Sequence, residues 1–93
     1  MSDERLRKQI ADFFVRTGHA HHQAFLETDG ADPDWPLWYA DYMREELAKL
    51  LNAEFTRSEL TYLLVRLDKE RAFNAPGSYW PDYYAKQLLN WYL

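Results

Sequence analysis

The chain contains no cysteine. That excludes a disulfide framework, a thiol nucleophile and a zinc site built on thiolates. It suits a reducing compartment, so a cytoplasmic location is expected. Glycine and proline are scarce, three and four among 93 residues, which argues against a low-complexity or disordered chain. No stretch reaches the about 18 consecutive apolar residues of a membrane span, and the start, MSDERLRKQI, lacks the apolar run of a signal peptide. No membrane partner is expected. Positive charge is the minority sign: the net charge is −4, and the lysines and arginines are scattered among acids. A phosphate backbone calls for a basic surface, so no nucleic-acid partner is expected either. Gly18, Gly30 and Gly77 are too far apart for a phosphate loop, and Ser2, Ser58 and Ser78 sit in caps or turns rather than in a nucleophile elbow. No strand-like alternation of useful length occurs.

Aromatic residues are abundant, with four Trp, seven Tyr and five Phe. Large rings supply much burial per residue, which suits a small core, and they also suit interfaces. The length fits one helical domain, 1–93, with a thin core that removes roughly 60–65% of the unfolded chain's surface from water.

The first helix starts at Ser2 or Asp3, with Leu6, Ile10, Phe13 and Phe14 at helical spacing. Gly18 either ends it as a left-handed residue or is crossed, so 19–28 is a short fifth helix or a continuation of the first. DGADPDWP (29–36) is turn chemistry, with Asp34 as a cap and Pro36 in the next first turn. A helix over about 35–52 follows, closed by Asn52 and Ala53. TRSE (56–59) has the form of a capping box and opens a helix carrying Leu60, Leu63, Leu64 and Leu67. NAPGS (74–78) breaks the chain, and a last helix runs from about Pro81. The expected fold is all-α: an antiparallel bundle of four main helices.

Two stretches echo each other. WPLWYADYM (35–43) and WPDYYAKQL (80–88) both read Trp-Pro-x-aromatic-Tyr-Ala-x-x-apolar, and IADFFVR (10–16) resembles LTYLLVR (60–66). The order is the same, which points to two pseudo-repeated helical hairpins, roughly 3–52 and 56–93. The first unit is longer by about five residues, and the extra material falls within GHAHHQAFLETDGAD, where the second unit offers no matching histidines.

All three histidines lie in that stretch. On a helix His19 and His22 share a face, while His21 points about 100° away from His22. His19 and His22, with Glu27 or Asp29 and with Asp12 as a further donor, form a candidate set for a divalent transition metal or for acid–base chemistry. The H-E-x-x-H pattern and the EF-hand order are both absent. The ordinary explanation is a polar helix joint. No cofactor is expected from the main reading.

QLLNWYL closes the sequence with more large apolar residues than one helix contact hides. Trp35, Trp38, Tyr42, Trp91 and Tyr92 are the candidate binding surface. The leading expectation is a protein-interaction or adaptor module that binds a protein partner or a second copy of itself. The alternative is a small metal-dependent or acid–base enzyme, or a ligand binder, at the His19/His22 region. Whether the chain is an enzyme stays open at this point.

Overall fold

The computed structural model describes residues 2–92. Four helices account for most of them: α1 (Ser2–Ala24), α2 (Trp35–Leu51), α3 (Arg57–Asn74) and α4 (Trp80–Tyr92), with one 3-10 turn, Leu26–Thr28, after α1. The architecture is the all-α antiparallel bundle that the apolar spacing predicts. No helix among the described residues is long and apolar enough to cross a membrane.

α1 runs through Gly18. The glycine is used for close approach rather than as a stop: a Cβ there would lie 3.5 Å from the Tyr39 hydroxyl and 3.6 Å from Trp80. Residues 19–24 continue α1, and a single 3-10 turn follows instead of a fifth helix. With Gly18 crossed, Ile10, Phe14, Thr17 and His21 form one stripe at spacings of four, three and four, and all four are buried. The Thr17 hydroxyl donates to the Phe13 carbonyl at 2.8 Å, so its burial leaves no polar atom unpaired.

The element ends follow local chemistry. Thr56 and Glu59 form the reciprocal capping box: the Glu59 N–H donates to Thr56 Oγ1 at 3.1 Å, and the Thr56 N–H to Glu59 Oε1 at 3.0 Å. Asn52 closes α2 in the left-handed region (φ 50°), which its short amide side chain tolerates. Asp34 occupies the N-cap position of α2, but its side chain makes no capping bond. Its own N–H donates instead to Asp32 Oδ1 at 3.0 Å, so Asp32 is the acid that shapes this turn.

The helices do not pack as two separate hairpins. α1 lies mainly on α4, and α2 mainly on α3; within each unit, α1 touches α2 and α3 touches α4 less closely. Exchanging α1 with α3 and α2 with α4 maps one close pair onto the other. The burial pattern obeys the same exchange. Ile10, Phe14 and Thr17 correspond to Leu60, Leu64 and Leu67, and all six are fully buried. Ala40 and Met43 correspond to Ala85 and Leu88, again fully buried, and Pro36 and Pro81 are both buried. Trp35 packs edge-on against Tyr39 at 5.3 Å, and Trp80 against Tyr84 at 5.4 Å. The two units therefore interlock, each laying its first helix on the other's second.

Candidate functional site

The interlock sets where the chemistry-bearing residues fall. His19, His22, Glu27 and Asp29 are all exposed. Asp29 is the left-handed end of the 3-10 turn (φ 56°). Asp12 is exposed too and lies 3.7 Å from Lys8. Among the described residues, no group of three histidine or carboxylate side chains converges as metal ligands do.

His21, the histidine left aside by the spacing argument, is the buried one, at 7% exposure. Its Nε2 is 3.1 Å from Asp32 Oδ2. Three rings surround the imidazole: Phe25 at 4.7 Å, Trp38 at 5.1 Å and Tyr39 at 5.4 Å. Asp32 thus holds His21 with one oxygen and the Asp34 N–H with the other. The pair fastens the connector 25–34 to α1. A His–Asp pair can also orient a general base, but that chemistry needs a nucleophile or substrate within reach. Two nearby hydroxyls are committed elsewhere, Thr17 to the Phe13 carbonyl and Thr28 to the Phe25 and Ala31 carbonyls.

The second unit does the same job with different residues. Arg71 stands fifty residues after His21, at the corresponding end of the buried stripe of α3. It donates from Nε and Nη2 to the Ser78 carbonyl, at 3.2 and 2.6 Å, and so fastens the connector 75–79. α1 and α3 end at corresponding positions, Ala24 and Asn74. The length difference between the units is therefore ten connector residues (25–34) against five (75–79), and lies entirely after the histidines. His19, His21 and His22 correspond to Lys69, Arg71 and Ala72. The histidines are not inserted material, contrary to the sequence comparison.

The candidate aromatic residues fall in two groups. Trp91 and Tyr92 close on the far end of α2: Tyr92 packs against Phe55 at 5.8 Å, and the Arg66 guanidinium lies 4.5 Å from the Trp91 ring centroid. Trp35, Trp38 and Tyr42 belong to the first half of α2, roughly 14 to 24 Å from its far end at the rise of an α-helix. Trp38 and Tyr42 stack on each other at 5.2 Å with 14° between their planes, and Tyr42 is 44% exposed. The stack continues a run of rings along the α1/α2 seam. His21 and Phe25 lie at one end, and Phe13 is 6.2 Å from Tyr42 at the other. Arg16 covers Phe13 at 4.8 Å and pairs with Glu46 at 2.6 Å, both exposed.

Burial raises the phenol pKa of Tyr39 and of Tyr84, and for Tyr84 the neighbouring Asp68 carboxylate adds to the rise. Burial also raises Tyr92, with a further contribution from Glu59. All three phenols stay neutral well past physiological pH. Comparison of the chain with protein-family models, with curated proteins and with solved structures finds no match.

Proposed function

We propose that the protein is a helical interaction module that binds through the α1/α2 seam, and that the partner is a second copy of the chain. The stacked Trp38–Tyr42 pair carries this reading. Two large rings lie parallel and part-exposed on α2, when full burial against α1 would remove more apolar surface from water. Aromatic anchors of this kind are the residues that dominate association energies. The rim favours self-association. Arg16 and Glu46 place a base and an acid on the same patch, and such a patch is complementary to itself under a two-fold rotation.

Sedimentation velocity over a concentration series tests it. The wild-type chain is expected to dimerise reversibly, and Tyr42→Arg to weaken the dimer by at least about ten-fold without lowering the melting temperature at concentrations where both chains are monomeric, because Tyr42 is a surface ring. A wild-type chain that stays monomeric up to about millimolar concentration contradicts the proposal. So does a dimer that Tyr42→Arg leaves unchanged.

A further inference from the structure

The two Trp-Pro motifs meet. Trp35 and Tyr39 from α2 and Trp80 and Tyr84 from α4 line one cavity of about 240 Å³, together with Asp68 and Arg71 of α3. Asp68 and Arg71 are three residues apart on one helix, a spacing at which an acid and a base commonly pair. Here each is held by something else. The Tyr84 hydroxyl donates to Asp68 Oδ1 at 3.3 Å. Arg71 donates through Nε and Nη2 to the Ser78 carbonyl, and Nη2 also reaches the Pro76 carbonyl at 3.4 Å. These bonds leave Asp68 Oδ2 and Arg71 Nη1 with no protein partner among the described residues. The cavity therefore presents one negative group, one positive group and four neutral rings.

We propose that this cavity binds a small zwitterion with an alkylated ammonium, seated among the aromatic rings beside Asp68 with its carboxylate at Arg71. Ring faces attract cations through their quadrupole, most strongly for tryptophan. A quaternary ammonium suits such a lining because its methyl groups bury apolar surface and it has no N–H left unbonded. The carboxylate gives Arg71 a charge-assisted partner. The site is an open cleft of about 240 Å³ with Asp68 at its exposed edge, room for a ligand of about eight to ten heavy atoms. That is below the usual volume for drug-sized ligands and matches a small metabolite.

Three probes of nearly the same shape separate the contributions. Glycine betaine carries both charges, choline lacks the carboxylate, and 3,3-dimethylbutyrate replaces the ammonium nitrogen with carbon. Calorimetry on the full chain measures affinity, and the indole N–H resonances of Trp35 and Trp80 report location. Glycine betaine is expected to bind saturably, and the other two at least about ten-fold more weakly. Asp68→Asn keeps an acceptor for Tyr84; it should weaken betaine about ten-fold and leave 3,3-dimethylbutyrate unchanged, a pattern that misfolding does not produce. Trp35→Leu, on a half-buried ring, should weaken betaine and choline together. The absence of saturable binding of betaine to about 100 mM overturns the proposal. So do shifts confined to Trp38 and Trp91, or 3,3-dimethylbutyrate binding as tightly as betaine.

Discussion

His21 and Gly18 show how single residues are decided by what lies across from them. His21 ends the buried stripe of α1, and Asp32 satisfies its ring nitrogen. Its burial is readable from the spacing Ile10, Phe14, Thr17, His21, provided the helix crosses Gly18. A glycine at that place fits a helix stop equally well, because the reason it is crossed lies in Tyr39 and Trp80, far along the chain. Two substitutions check this. Gly18→Ala should stabilise the protein by roughly 0.5–1 kcal/mol in a denaturant melt, since the added Cβ meets only ordinary contacts and alanine favours the helix. A left-handed stop at Gly18 would give the opposite sign. His21→Ala should cost roughly 2–4 kcal/mol, through a cavity among Phe25, Trp38 and Tyr39 and the loss of Asp32's partner. His19→Ala and His22→Ala remove exposed rings; each should stay within about 0.5 kcal/mol in the same assay.

At the scale of elements, legibility tracks sequence distance. The capping box of α3 is plain in TRSE because both partners lie within one turn. Thr56→Ala should cost about 1 kcal/mol, and the loss should be visible in the same melt. The start of α2 is harder to read. DPD offers two acids, and Asp32 rather than Asp34 shapes the turn because only Asp32 also reaches His21, eleven residues back. The helix connectors share a logic that no local pattern contains: a cationic or imidazole side chain at the end of a buried stripe reaches forward and fixes the next loop. His21 and Arg71 do this with different chemistry. A comparison by residue type therefore paired them with nothing.

At the scale of the molecule, the all-α class and the echo between the two halves were legible, since both rest on apolar spacing. The interlock was not, because sequence shows which faces are apolar but not which partner covers them. The echoed Trp-Pro motifs come together across the bundle and put Tyr39 and Tyr84 in or near the core. Their raised pKa values have a consequence at high pH. Above about pH 10 unfolded tyrosines release protons that the folded phenols retain, so the unfolded state is favoured and stability falls as pH rises through the folded values. Melts from pH 9 upward should show this decline, and Tyr84→Phe should make it shallower.

The candidate surface residues sort in the same way. Trp38 and Tyr42 lie on the α1/α2 seam, whereas Trp91 and Tyr92 pack at the opposite end of α2. Self-association is proposed to run through the seam. Isotope-filtered NOE spectra of mixed labelled and unlabelled chain address it directly, since they record only contacts between copies. Intermolecular NOEs are expected from the rings of Trp38 and Tyr42 to residues of α1 and α2. Their absence at concentrations where the chain is dimeric, or intermolecular NOEs arising only from Trp91 and Tyr92, would contradict it.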